Sequence, residues 1–224
     1  MVVGSIDKPK KLKAIIFDLD GTLLDTLEDL KNATNAALEY SNMPIRTLDE
    51  VRRFVGNGVR KLMERAVPNG CDNPKFEETY TYFREYYEKH CKENTKAYDG
   101  IYDLFEELKK QGYEIAIVSN KMDEAVKILN KDYFSEYVSV AIGENVKVAK
   151  KPAPDTVNKA LEELNFSNEE AIYVGDSEVD IQTAQNAKMP CVSVKWGFRD
   201  EKFLRENGGK CFIDKPSDLL EAIA

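Results

Sequence analysis

Residues 14–25 read Ala-Ile-Ile-Phe-Asp-Leu-Asp-Gly-Thr-Leu-Leu-Asp, and this dozen decides the architecture. Leu12 through Phe17, Lys13 excepted, is almost continuously apolar, which suits a strand covered on both faces of a parallel sheet. The strand delivers Asp18 and Asp20 just past its carboxyl end, where open α/β sheets place their ligands. Positions i and i+2 of an extended chain point the same way. The two carboxylates therefore converge, and they repel each other unless a cation or a proton intervenes. Gly21 permits the sharp turn that follows, and Thr22 offers a hydroxyl and an amide to an anion. The pattern predicts a divalent-metal site with a spare carboxylate nucleophile. A solvated acidic turn is the plainer reading of an isolated Asp-x-Asp.

Working outward, Thr26 to about Glu93 is helical in pattern. Leu27, Leu30, Thr34, Ala37 and Leu38 hold helical spacing, Leu48 to Phe54 starts a second helix, and Val59 to Val67 resumes after Gly56-Asn57-Gly58. Phe76, Tyr80, Phe83 and Tyr87 form one stripe, which reads as the core of a small helical bundle. After Tyr98-Asp99-Gly100 the rhythm alternates between helix and strand. Strands are expected at Tyr113–Val118, Val138–Ile142, Ala171–Val174, Cys191–Val194 and Cys211–Ile213. Helices are expected at Ile101–Gln111, Asp123–Asn130, Pro154–Leu164, Ile181–Ala187 and Leu219–Ile223. Such alternation implies an α/β fold, a parallel sheet between two helical layers. The all-helical stretch is then an insertion after the first strand. The expected division is a core of 11–24 and 96–224 with a helical cap of 25–95.

The chain has 224 residues, 32% of them charged, with a net charge of −8 and a pI near 5.0. That balance argues against nucleic-acid binding, which needs a basic stripe. No apolar run is long enough to span a membrane, and the opening Met-Val-Val-Gly-Ser-Ile-Asp-Lys-Pro-Lys-Lys lacks the apolar core of a signal peptide. Cys71, Cys91, Cys191 and Cys211 are widely spaced and read as reduced thiols, so a cytoplasmic location is expected. His90 is the single histidine and sits in a charged helical stretch. Histidine-rich metal sites are thereby excluded, and the chemistry falls to carboxylates and lysine. Oligomeric state leaves no mark in the sequence.

Three more strand ends open near the first. Ser119 and Asn120 end the second core strand with groups suited to an anion's oxygens, or to an ordinary helix cap. Lys151 precedes Pro152-Ala153-Pro154, whose two prolines stiffen the loop. An ammonium aimed from there at the acidic cluster would neutralise charge, and whether Lys150 or Lys151 supplies it stays open. Asp176 arrives after Gly175 as a third carboxylate, and Asp180 follows one helical turn later on the same side. Hard divalent ions such as magnesium favour such oxygen donors. Asp18, the Asp20 carbonyl and Asp176 would ligate, with Asp180 in support.

Asp18-Leu-Asp20-Gly21-Thr22, Ser119-Asn120, Lys151-Pro152 and Gly175-Asp176-x-x-x-Asp180 together resemble the four ordered motifs of the haloacid dehalogenase superfamily. Val55-Gly56-Asn57-Gly58, followed by Leu62 and Glu64-Arg65-Ala66, is similar to the cap of its phosphoglycolate phosphatases. The resemblance implies a three-layer α/β/α core with a helical cap, and a magnesium-dependent phosphomonoesterase. It implies that Asp18 is the nucleophile and Asp20 the general acid and base. Lys151, Thr22, Ser119 and Asn120 then serve the phosphate, and Gly56, Asn57 and Gly58 the leaving group. The expected partner is a small phosphorylated metabolite, foremost 2-phosphoglycolate. Pyrophosphate, a sugar phosphate, or a phosphomutase reaction are the alternatives, the last disfavoured because Glu28 to Leu38 holds no histidine.

Overall fold

A computed structural model describes residues 1–6, 9 and 11–224. The N-terminal run quoted above includes Asp7, Lys8 and Lys10, which lie outside the described residues. The chain opens with β1 (Ala14–Phe17) and β2 (Leu24–Asp25), then helices α1 (Leu27–Tyr40), α2 (Leu48–Phe54), α3 (Val59–Ala66) and α4 (Phe76–His90). It continues through β3 (Lys96–Ala97), α5 (Ile101–Lys110), β4 (Glu114–Met122), α6 (Asp123–Leu129), β5 (Val140–Glu144) and α7 (Asp155–Leu164). It closes with β6 (Ala171–Gly175), α8 (Glu178–Asn186), β7 (Cys191–Val194), α9 (Glu201–Glu206), β8 (Cys211–Ile213) and α10 (Asp218–Ile223). The described residues form two compact units, one of Met1–Leu24 with Ala97–Ala224 and one of Asp25–Lys96.

In the first unit six parallel strands run in the order β5-β4-β1-β6-β7-β8. Side chains of β1 alternate between its two faces, as extended chain requires. Ile15 and Phe17 join Ile115, Ile117, Ile172 and Val174 under α5, α6 and α10. Ala14 and Ile16 join Ala116, Val118, Ala171 and Tyr173 under α7 and α8. Burying an Ile or Phe side chain of this kind stabilises the fold by roughly 1.5–3 kcal/mol, and Ile15, Ile16 and Phe17 are all buried. That explains the unbroken apolar run: both faces are covered. The expected three-layer α/β/α core is therefore present.

The strand order also locates a crevice. From β1 the chain builds outward through β4 to β5, then returns to build β6, β7 and β8 on the other side. The order reverses at β1, and ligand sites form at the carboxyl ends of strands at such a reversal. Phe17 is level with Ile117 on one neighbour and Val174 on the other. Asp18 and Asp176, which follow β1 and β6, and Ser119, within β4, thus stand within one residue of the same height on three adjacent strands.

The second unit is helical. Leu27, Leu30, Ala33, Ala37 and Leu38 of α1 are buried, as are Phe76, Phe83 and Tyr87 of α4, and the two helices pack together. The aromatic stripe is core, with Tyr80 only half-buried and Thr79 completing the face through a hydrogen bond to Ser41. Thr47 and Glu50 form a reciprocal cap at the start of α2. His90 is partly exposed and its ring meets Glu93. Gly56, Asn57 and Gly58 all have positive φ, so the chain turns between α2 and α3 and Gly58 caps α3.

Candidate active site

Asp18 follows β1 directly, and its amide still donates to the Val174 carbonyl at 2.9 Å. The next six residues fold back on themselves: the amides of Thr22, Leu23 and Leu24 all reach the Leu19 carbonyl. Gly21 has φ +83°, and a Cβ there would stand 2.4 Å from an Asp176 oxygen. Only glycine serves, for reasons of both conformation and space.

Lys151 is the hub. Its buried ammonium donates to Asp18 Oδ1 at 2.7 Å, Asp180 Oδ1 at 2.8 Å and the Tyr173 hydroxyl at 3.0 Å. Lys150 instead lies half-exposed beside Glu144, 3.7 Å away. The choice left open by the sequence falls on Lys151. Asn120 donates from Nδ2 to the Lys151 carbonyl at 2.9 Å, fixing the proline loop.

Asp18, Asp176 and Asp180 each bring a carboxylate oxygen within 4.8 Å of the others. Their lone pairs are not equally available. Asp180 Oδ1 accepts from Lys151 and Tyr173, and Oδ2 accepts from the Ser177 amide and hydroxyl. Four donors saturate a carboxylate. Asp180 is therefore the anchor of Lys151 and of the α8 cap, while Asp18 and Asp176 remain as candidate cation ligands. Asp176 is steadied by the Phe198 amide, 2.7 Å from Oδ2.

Asp20 is held by a second lysine. Lys121 Nζ lies 2.8 and 3.0 Å from its two carboxylate oxygens. The site thus sets four carboxylates (Asp18, Asp20, Asp176, Asp180) against two ammonium groups (Lys121, Lys151). Burial pushes the Asp18 carboxyl up to about 7, with Asp180 adding to the rise and Lys151 opposing it. Burial also raises Asp176 well above the usual carboxylate range, helped by Asp180 and Asp18. Burial alone would lower Lys151, but Asp18 and Asp180 outweigh it and hold the lysine charged. With all four carboxylates ionised the site carries two surplus negative charges, and these with oxygen-only donors fit one hard divalent cation in place of the protons.

A pH dependence follows. A carboxyl raised in the fold binds its proton more tightly folded than unfolded, so its contribution to stability is present at low pH. It is lost as pH rises from the ordinary carboxylate value, about 4, through the folded value. For Asp18, faced by Asp180, Asp20 and Lys151, that window ends near 7. A divalent cation competes with those protons. The rise in melting temperature on adding a divalent cation such as magnesium is expected to be larger at pH 7 than at pH 5. Scanning calorimetry with and without magnesium checks this, and an increment flat across the range would contradict it.

Thr22 and Ser119 are buried at the same strand ends. Ser119 Oγ accepts from the Lys121 amide at 3.1 Å. The Thr22 hydroxyl and Asn120 Oδ1 are buried with no hydrogen-bond partner among the described residues, an arrangement that is costly without a ligand. The Thr22 amide, by contrast, is turned to Leu19 at 3.4 Å. Gly56, Asn57 and Gly58 belong to the other compact unit.

Three features escape a strand-by-strand reading. Lys121 and Ser119-Asn120 sit in a bulge: Val118 pairs with Ile142 but Met122 with Glu144, so four steps on β4 match two on β5. A bulge breaks the alternation of faces and re-aims side chains, and Ser119, Asn120 and Lys121 are all buried in consequence. Tyr173 reads as an ordinary core residue, yet its hydroxyl joins Lys151 to Asp180. The loop Trp196-Gly197-Phe198 closes the site from behind β7. Trp196 Nε1 donates to the Thr22 carbonyl at 3.0 Å. The available signal was a glycine shortly after an apolar strand, the same pattern as Gly21.

A Cβ at Gly197 would lie 2.3 Å from Asp176 Cβ and 2.6 Å from the Gly21 carbonyl. Gly197→Ala is therefore expected to displace Asp176 and weaken magnesium binding by about tenfold or more, ~1.4 kcal/mol. Titration calorimetry with magnesium measures it. Unchanged affinity would show that the loop does not set the Asp176 position.

A family model described as haloacid dehalogenase-like hydrolase matches residues 15–194. A phosphoglycolate phosphatase of Aquifex aeolicus is 34% identical to this chain, covering 94% of it and 96% of that protein. The pyrophosphatase PpaX of Bacillus mycoides is also 34% identical, over 96% of this chain and 98% of its own length. A crystal structure from Lactobacillus delbrueckii subsp. bulgaricus, described as a candidate phosphoglycolate phosphatase, superposes with a TM-score of 0.90 at 34% identity. It covers 95% of this chain and 98% of that one.

Proposed function

We propose that this chain, which belongs to the haloacid dehalogenase-like hydrolase family, is a magnesium-dependent phosphomonoesterase that works through a phosphorylated aspartate and takes 2-phosphoglycolate as substrate. Its relatives of about one-third identity over nearly the whole chain are phosphatases by name. The observation that carries the reading is the surplus of buried carboxylates at the reversal of the sheet. Two of the aspartates face a lysine that keeps one of them poised for attack.

In this reading Asp18 attacks phosphorus and forms an acyl phosphate. Asp20 donates a proton to the departing oxygen, then removes one from the water that hydrolyses the intermediate. Lys151 screens the anionic nucleophile from the phosphate dianion. Ser119, Asn120 and Thr22 receive phosphate oxygens, a role supported for Thr22 by its buried hydroxyl, which lacks a partner among the described residues. Asp18, Asp176 and the Asp20 carbonyl would hold magnesium, which would supply charge neutralisation for the transferring group. Asp180 positions Lys151. The working division is a catalytic core of 11–24 and 96–224 and a cap of 25–95, whose Gly56-Asn57-Gly58 loop contributes to choice of leaving group. No described helix is long and apolar enough to cross a membrane.

Pyrophosphate is the second reading, favoured by the name of the Bacillus mycoides relative. A panel of phosphate esters and pyrophosphate, each assayed with magnesium and with excess chelator, tests both. Highest kcat/KM for 2-phosphoglycolate, lost on chelation, is expected. A clear preference for pyrophosphate would replace the substrate. Full activity in chelator would remove the metal from the account.

A further inference from the structure

Lys121 has no part in the reaction as set out above, yet it is one of the most deeply placed charges in the chain. Its side chain is 1% exposed, and its ammonium grips both oxygens of Asp20 at 2.8 and 3.0 Å. Burying an ammonium costs several kcal/mol before its partners are counted, so its presence here calls for a use. The bulge in β4 is what brings it in, at the cost of a regular ladder between Val118 and Met122.

The two lysines divide the site. Lys151 is bound to Asp18, Asp180 and Tyr173, on the side of the nucleophile. Lys121 stands on Asp20. The inference rests on the phosphatase reading, in which Asp20 protonates the departing oxygen and must come within hydrogen-bond reach of it. An ammonium touching both Asp20 oxygens is then next to whatever that oxygen carries. In 2-phosphoglycolate the oxygen carries a methylene and a carboxylate; in pyrophosphate it carries a second phosphoryl group. Each places an anion one or two bonds from the departing atom. A lysine is a compact charge with rotatable donors, so it engages a second anion while still holding the first.

We propose that Lys121 selects the leaving group, favouring small phosphates whose departing oxygen bears an adjacent anion over equally small neutral esters. The selection is electrostatic complementarity at the leaving side. Ser119 and Asn120 share the bulge with Lys121, so one irregularity in one strand would serve both phosphate and leaving group.

The test compares kcat/KM for 2-phosphoglycolate, pyrophosphate and the neutral analogue 2-hydroxyethyl phosphate in the wild type, Lys121→Met and Lys121→Arg. The wild type is expected to prefer at least one anionic substrate over the neutral one. Lys121→Met is expected to lower that ratio by tenfold or more, and Lys121→Arg to keep most of it. The ratio cancels any common loss from disturbing Asp20, and melting temperatures identify a variant that fails to fold. If Lys121→Met does not fold, Lys121→Gln takes its place with the same expected ratio. A wild type with no preference for the anionic substrates overturns the proposal without any variant. So does a ratio within threefold of wild type in a folded Lys121→Met. If pyrophosphate is cleaved and phosphoglycolate is not, the substrate named above fails while the role of Lys121 is still decided, on pyrophosphate.

Discussion

Asp18→Asn is expected to lose turnover by roughly 10^4-fold or more, about 5.5 kcal/mol in the barrier. An amide cannot attack phosphorus or carry an acyl phosphate. The substitution is nearly isosteric, so the fold survives it. It also removes a carboxylate from a cluster in which burial already drives Asp18 up to about 7. The metal-free variant is therefore expected to melt no lower than the wild type at pH 8. Loss of activity with retained stability is the joint outcome, read from steady-state kinetics and calorimetry on the same preparation. Turnover within about tenfold of wild type, ~1.4 kcal/mol, would mean that another group attacks.

Lys151→Met is expected to lose stability as well as activity. It strips the buried cluster of the ammonium that holds Asp18, Asp180 and Tyr173 together. Removing one partner of a buried ion pair costs about 3–5 kcal/mol, because the other is left as an uncompensated charge. The metal-free variant is expected to unfold at markedly lower denaturant concentration, and magnesium is expected to restore part of the loss. Turnover is expected to fall as well, since the ammonium no longer screens the proposed nucleophile from the phosphate. An unfolding midpoint equal to wild type would show that Lys151 carries no structural charge balance. The two variants separate chemistry from architecture within one cluster.

Much of this was legible because the decisive residues lie at ends of strands that are apolar on both faces. Leu12–Phe17, Ala171–Val174, Cys191–Val194 and Cys211–Ile213 stand out from their surroundings, and the structure has strands at Ala14–Phe17, Ala171–Gly175, Cys191–Val194 and Cys211–Ile213. The sheet and its two helical layers follow from that alternation. Boundaries moved where local hydrogen bonding competes. The strand expected at Val138–Ile142 begins at Val140 because the Val138 amide closes a turn on Phe134. The helix expected from Ile181 starts at Glu178 because Ser177 and Asp180 cap each other. Helix α9, Glu201–Glu206, was not anticipated; it is six residues long and shows a single buried position, Leu204, too little for a periodic signal.

The site was legible as a set of aspartates and a lysine but not as a network. Spacing told which residues leave the strand ends, not which donors they meet. That Asp180 is saturated, and so supports Lys151 without an open lone pair for a metal, depends on the turn from β6 into α8 bringing the Tyr173 and Ser177 hydroxyls onto it while Lys151 arrives from a distant loop. Lys121 was hidden for a related reason. A bulge is a property of the pairing between β4 and β5, and no single strand encodes it. Trp196-Gly197-Phe198 became visible only through the contact with Asp176.

The central claim is that phosphate passes through Asp18. It is tested by mixing enzyme, magnesium and 2-phosphoglycolate labelled at phosphorus, quenching with acid during turnover, and mapping the label by peptide. The account predicts acid-stable, base-labile label on the peptide that contains Asp18, lost in Asp18→Asn. Label on a different residue, or labelled inorganic phosphate released while the protein stays unlabelled at every quench time, would contradict it.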